Sequence, residues 1–268
     1  MQRRIRIGAD GKVEGDLDAV AGALLGARRV TALTGAGISV ESGIPDFRSP
    51  GGLWSVFDPM EYGTLSCFLE DPEKAWTLYR TLGVTLSDKS PNPAHRALAN
   101  LESAGVLAGI VTQNIDGLHQ AAGSRRVFEI HGEAKHLQCL RCRVCQPLLP
   151  AHFEPGPVPC CPACGSPLKP NIVLFEEPVR SLREITAFVR ESDLMLVAGT
   201  SAEVAPAALL PEDVLGRGGS VVEMNLEPTQ LTEGGLGRNG FFVQGSLGAA
   251  LPLLAAAVRA RAGVRGLE

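Results

Sequence analysis

Seven cysteines among 268 residues include two Cys-x₂-Cys pairs, Cys139/Cys142 and Cys161/Cys164, with 18 residues between them. Each pair can form a tight knuckle offering two thiolates to one ion, and four thiolates complete a closed, tetrahedral zinc site of the structural kind. Two other registers stay open, because Cys142 and Cys145 also make a Cys-x₂-Cys and Cys160 adjoins Cys161. A redox role is disfavoured, since neither pair stands at a strand-to-helix turn. A second chemical stretch runs from Val30 to Trp54, where an apolar run breaks into Thr34-Gly35-Ala36-Gly37-Ile38-Ser39 and then Asp46-Phe47-Arg48. Small residues after a strand let backbone N–H groups approach a phosphate. The third glycine of the dinucleotide fingerprint is missing, with Val40 in its place, so this stretch alone is a weak signal. Polar clusters at Gln113-Asn114-Ile115-Asp116, His131-Gly132, Gly199-Thr200-Ser201 and Asn225 complete the candidates.

These clusters need elements to hold them. A helical pattern over 16–28 leads into the Val30–Leu33 strand, and apolar strands follow at 106–112, 127–130, 194–198, 221–224 and 241–243. Helices are expected after Pro93 (face Ala94, Ala97, Leu98, Leu101), over 182–189 and over 247–262. Strands alternating with helices imply an α/β, doubly wound, mostly parallel Rossmann-like sheet. Five of the strands run into polar or Gly-rich residues, which places a nucleotide-binding rim along one sheet edge. The expected domains are a nucleotide-binding part at 1–49, 91–135 and 171–268, a helical insertion at 50–90 and a zinc-binding module at 136–170. In the insertion, aromatics mix with Pro and Gly, and the helix signals are short.

Composition limits the function. With 45% hydrophobic and 20% charged residues and a formal net charge of −4, the chain has no basic footprint for nucleic acid. Its basic start lacks the apolar core of a secretory signal, and no apolar run is long enough to span a bilayer. Cytoplasm is therefore the expected location, and the cysteine usage points to metal before disulfides. Oligomeric state is not readable.

Taken together, the motifs Gly35-Ala36-Gly37-Ile38-Ser39, Gly43-Ile44-Pro45-Asp46-Phe47-Arg48, Thr112-Gln113-Asn114-Ile115-Asp116 and His131-Gly132 resemble those of the sirtuin family of NAD-dependent protein deacylases, bacterial type. The four-cysteine module, Gly199-Thr200-Ser201 and Asn225 follow in the family's order. The resemblance implies that NAD is consumed as a co-substrate, that zinc is structural, and that the partner is an acyl-lysine protein or peptide. His131 would be the general base, taking a proton from a ribose hydroxyl so that it attacks the newly formed imidate; histidine titrates near working pH. Without the resemblance, a lone histidine at a strand end reads as a structural imidazole. Asn114 and Asp116 would orient the ribose and its water, and Gln113 would contact the ribose hydroxyls. Ala36 and Ser39 would line the nicotinamide and phosphate region, and Gly35, Gly37 and Asp46 would also bind the cofactor. Phe47 would shield the ribose, and Arg48 would pair with a phosphate. Gly199, Thr200, Ser201 and Asn225 would hold the adenosine half. His119 reads as a packing residue.

Peptide would pair with 173–177 and with residues near Glu203 and Val204. Two departures stand out. Phe175-Glu176-Glu177 replaces the family's Phe-Gly-Glu, which restricts the backbone and adds an acid that could favour basic peptides. The Tyr-x-x-Arg of succinyl- and malonyl-removing members becomes Tyr79-x-x-Leu82, which favours acetyl or longer apolar acyl groups. The rivals are an ADP-ribosyltransferase, a non-catalytic NAD-binding sensor and a hydride-transferring dehydrogenase on similar architecture.

Overall fold

The computed structural model describes residues 3–8, 10–46 and 52–263. In chain order the strands are β1 Arg4–Ile7, β2 Val13–Glu14, β3 Val30–Thr34, β4 Leu107–Thr112, β5 Val127–Glu129, β6 Gly132–Cys139, β7 Cys145–Pro147, β8 Leu168–Ile172, β9 Leu194–Ala198, β10 Ser220–Asn225 and β11 Phe241–Gln244. The helices are α1 Leu17–Gly26, α2 Pro59–Tyr62, α3 Leu65–Glu70, α4 Pro72–Leu86, α5 Pro93–Ser103, α6 Leu118–Ala121, α7 Leu182–Arg190, α8 Leu209–Gly216, α9 Gln230–Gly234 and α10 Leu247–Ala262.

An eight-stranded sheet runs β2-β1-β11-β10-β9-β3-β4-β5, parallel throughout except for the β1/β2 edge hairpin. Every residue of β3 and β9 is buried. That burial matches their apolar sequences, because helices cover both faces of a parallel sheet. One face packs Val20, Leu24, Leu98, Leu101, Leu251 and Leu254 from α1, α5 and α10. The other packs Ile185, Phe188, Leu210 and Val214 from α7 and α8. Strand order reverses between β3 and β9, so their carboxyl ends form the crevice where open α/β sheets bind ligands.

A second unit combines the two chain excursions. Antiparallel β7-β6-β8 carries the cysteines, and α4 packs on it. Trp76 Nε1 donates to the Leu168 carbonyl at 2.8 Å, and Phe68, Trp76, Tyr79, Leu137 and Leu168 share one core. The helical insertion and the cysteine segment thus have a single interior.

Five elements differ from the sequence reading. The basic start forms β1 and β2, because Ile5 and Ile7 alternate inward beside β11. Helices α8 and α9 carry no strong sequence signal. The insertion contains a helix of 15 residues, capped by Asp71, whose carboxylate accepts from the Lys74 N–H, with Pro72 at the first turn. The short Asp71-Pro72-Glu73 signal marked its start and not its length.

Candidate active site

At the switch point the glycines serve close packing. The N–H of Gly35 donates to the Ala198 carbonyl and that of Gly37 to the Gly199 carbonyl, at 3.2 and 2.9 Å. A Cβ on Gly35 would lie 2.7 Å from Thr200 Cβ, and one on Gly37 2.8 Å from Gly199 Cα. Gly199 itself has φ +66, where side chains are strained, and a Cβ there would meet the Ile38 nitrogen at 2.5 Å. The sequence reading gave these glycine N–H groups to a phosphate; in the fold they knit β3 to β9 and keep the crevice floor thin. That thin floor lets a ligand reach the backbone, which fits the nucleotide expected there.

The polar residues after β4 meet those after β3. Ser39 Oγ donates to Asp116 Oδ2 at 2.6 Å and accepts from Asn114 Nδ2 at 3.1 Å. Asn114 Nδ2 also reaches the Gly35 carbonyl, and Asp116 Oδ1 accepts from the Leu118 N–H. Beneath them lies a buried chain. His119 Nε2 contacts Thr34 Oγ1 at 2.8 Å, Thr34 donates to Thr112 Oγ1, and Thr112 accepts from the Asn114 N–H. This network assigns the His119 proton to Nε2. His95 stacks edge-on against His119 with ring centroids 4.9 Å apart. Burial pushes His95 down to about 4 and His119 down to about 3, so both are neutral. His95 Nε2 lies 3.5 Å from Ser39 Oγ, and the residue closes a capping box with Asn92 at the start of α5. Sequence reading missed His95; the Asn92-x-x-His95 spacing was its one signal.

His131 follows β5. Its Nδ1 sits 3.0 Å from the Gln113 carbonyl and donates to it, which leaves Nε2 as the unprotonated nitrogen. Burial lowers its pKa below the ordinary histidine value, partly opposed by that backbone bond. Gly132 must be glycine, with φ +78 and a would-be Cβ 2.2 Å from the Asn171 carbonyl oxygen, because β6 departs here against β8.

The opposite side of the crevice collects the remaining predicted residues. Gln113 Nε2 donates to Thr200 Oγ1 at 2.8 Å, and Asn225 Nδ2 to the Thr200 carbonyl at 2.8 Å. Ser201 is exposed next to Thr200. Fully buried Glu223 accepts from Thr232 Oγ1, the Thr229 N–H and Asn225 Nδ2, and so fixes the Asn225 amide. Asp46 is half-buried. Phe47 and Arg48 lie outside the described residues.

Cys139, Cys142, Cys161 and Cys164 bring their sulfurs within 4.8 Å of one another, with Cys139–Cys164 at 3.5 Å and Cys142–Cys161 at 3.4 Å. Sulfurs at 2.3 Å from a tetrahedral zinc stand about 3.8 Å apart, so the donor set fits that ion. The register left open in sequence is thereby decided: Cys145 and Cys160 are exposed and outside the cluster.

The 173–177 stretch is held from three sides. The Val173 N–H donates to the His131 carbonyl, and Phe175 pairs through both backbone groups with Gly63 and Leu65. Fully buried Lys169 donates to the Ile172 carbonyl at 2.5 Å and to Glu177 Oε2 at 2.9 Å. Glu176 occupies φ 75, and its Oε2 accepts from the Ser66 N–H and hydroxyl at 2.9 and 2.5 Å.

A parallel sheet with a switch-point crevice, a half-buried histidine at its rim and a four-thiolate module define a nucleotide-handling α/β protein. The chain belongs to the Sir2 family, whose model matches residues 35–206. It is 41% identical over 244 residues to NAD-dependent protein deacylase 2 of Pyrobaculum aerophilum, covering 90% of this chain and 96% of that one. It is also 45% identical over 209 residues to an NAD-dependent protein deacetylase of Caldivirga maquilingensis, covering 77% and 81%. Among solved structures, a mutant Sir2 homologue in complex with ADP-ribose matches with a TM-score of 0.86 at 36% identity, covering 92% of this chain and 98% of that one. Sir2Tm bound to a propionylated peptide matches with a TM-score of 0.79 at 32% identity, covering 93% and 100%.

Proposed function

We propose that this chain is an NAD-dependent protein-lysine deacylase, which removes an acyl group from a lysine side chain, passes it to the ADP-ribose part of NAD and releases nicotinamide. NAD supplies a nicotinamide–ribose bond whose cleavage drives the transfer. The observation that carries the reading is His131, held by the Gln113 carbonyl with Nε2 unprotonated, on the same crevice as the Ser39, Asn114 and Asp116 cluster. Here His131 takes a proton from a ribose hydroxyl, and burial keeps it neutral for that task. Asn114 and Asp116 orient the ribose, each braced by Ser39. Thr200, Ser201 and Asn225 hold the adenosine half, with Gln113 on the ribose hydroxyls. Phe47 and Arg48 keep the roles the motif gives them, shielding the ribose and pairing with a phosphate. The four cysteines hold zinc, which ties the substrate-facing module together and takes no part in the chemistry.

The acyl-lysine peptide lies between the two units, along 173–177 and the Glu203–Val204 stretch. Free thiols at Cys145 and Cys160 suit a reducing compartment, and we place the chain in the cytoplasm. No described helix is long and apolar enough to cross a membrane.

The test is incubation with NAD and an acetyl-lysine peptide, reading nicotinamide, deacylated peptide and acyl-ADP-ribose by mass spectrometry, with His131→Ala alongside. All three products arise together in the wild type and are lost in the variant. Nicotinamide without deacylation would show that the assigned reaction is wrong, and ADP-ribose attached to protein would show an ADP-ribosyltransferase instead.

A further inference from the structure

The 173–177 stretch ends in a tight turn. The Glu177 N–H donates to the Leu174 carbonyl at 3.0 Å, and Glu176 stands third in that turn with φ 75. A left-handed residue at this place in a β-turn is ordinarily glycine. Here a glutamate occupies it, and its carboxylate reaches Ser66, 110 residues earlier in the chain.

The turn is pinned from two sides. On the inside, Glu177 Oε2 accepts from the Leu174 N–H and from fully buried Lys169, both at 2.9 Å. On the outside, Glu176 Oε2 accepts from the Ser66 N–H and hydroxyl. Beside that bond the Phe175 N–H donates to the Gly63 carbonyl, and the Leu65 N–H donates to the Phe175 carbonyl, each at 3.0 Å. Leu65 and Ser66 open α3, so the outer pin ties the turn to the helical insertion, while the inner pin ties it to β8. The outer side-chain bond requires more than a backbone at position 176. A glycine there would keep the turn and lose the bond.

We propose that Glu176 is a positioning residue, whose bond to Ser66 holds the 173–177 edge in the shape that pairs with the substrate peptide. The proposal rests on the deacylase reading and adds to it a determinant of peptide affinity. A peptide that docks as an added strand gains main-chain hydrogen bonds, and it loses affinity for any ordering the receiving edge still requires. A carboxylate held by two donors removes part of that cost in advance. The side-chain bonds of Glu176 go to Ser66 and not to His131 or the Ser39, Asn114 and Asp116 cluster, so its loss weakens binding and spares the chemical step.

The test measures kcat and KM for one acetyl-lysine peptide with neutral flanking residues, at saturating NAD. Glu176→Gly, which keeps the left-handed backbone and removes the carboxylate, raises the peptide KM about fivefold and holds kcat within about twofold of the wild type. Ser66→Ala raises KM in the same direction, and Ser66→Thr, which keeps both donors, does not. Glu176→Gly/Ser66→Ala is no weaker than Glu176→Gly alone, because the two residues share one interaction. An unchanged or lowered KM in Glu176→Gly, a loss confined to kcat, or losses that add in the double variant would overturn the positioning role and leave the deacylase reading intact. If no acyl-lysine peptide is turned over, the deacylase reading fails, and calorimetric binding of the acetyl-peptide decides the role of Glu176. Binding about fivefold weaker in Glu176→Gly supports it. Equal or tighter binding, or none to either protein, overturns it.

Discussion

His131 carries a pH signature that follows from its burial. Its pKa lies below the ordinary value of about 6.5, so the ring is neutral at pH 7 and becomes charged only as pH falls through the lowered value. The kcat/KM profile should therefore lose activity on an acid limb with its midpoint below 6.5. A midpoint above that value would contradict the assignment. Glu176 shows how a residue's meaning changes in the fold. In sequence it replaces a glycine and suggests attraction for basic peptides, but its Oε2 is taken up by the Ser66 N–H and hydroxyl. These bonds accompany a left-handed backbone conformation that glycine would adopt freely. A peptide array should show little preference for flanking Lys or Arg in the wild type and a gain in Ser66→Ala, which weakens the grip on the carboxylate. The preference already present in the wild type would restore the simpler reading.

At the scale of elements, β8 couples the cysteine module to the substrate stretch. Lys169, with no exposed side-chain surface, reaches past the end of its strand to Glu177, whose carboxylate in turn accepts from the Leu174 N–H. Removing one partner of such a buried pair typically costs about 3–5 kcal/mol, because the other charge is left without compensation. Lys169→Met should lose stability of that order in chemical denaturation, and Lys169→Met/Glu177→Leu should lose less. Equal losses would show that packing of the lysine chain, and not the charge pair, is what matters. Zinc removal tests the shared core. Both tryptophans, Trp54 and Trp76, belong to this unit. A chelator should therefore shift the intrinsic fluorescence while most of the helical signal of the larger sheet domain persists. Fluorescence unchanged after verified metal loss would mean that the core stands without the ion. The cysteine spacing was legible in sequence, since a knuckle is local. The shared core was not, because it joins residues as distant in the chain as Trp76 and Leu168, 92 residues apart.

For the whole molecule, His95 and His119 set a limit in acid. Both fold neutral with depressed pKa values, whereas the unfolded chain binds their protons near pH 6.5. The unfolded state then carries more protons between about pH 6.5 and the folded values near 4 and 3, so stability is full above 6.5 and falls as pH drops through that window. Each histidine contributes a slope of up to about 1.4 kcal/mol per pH unit. Denaturation midpoints measured from pH 7 to pH 4 should fall less steeply for His95→Gln/His119→Gln than for the wild type; parallel curves would mean that other groups dominate. The sequence by itself determined the α/β class, the polar strand ends and the four thiolates, because periodicity, turn chemistry and ligand spacing act over a few residues. The tertiary structure alone decided that Gly35 and Gly37 pack on Gly199 and Thr200, that His95 and Lys169 serve the site from inside, and that Glu176 meets Ser66. Each of those depends on segments distant in the chain meeting, and residue spacing carries no record of that.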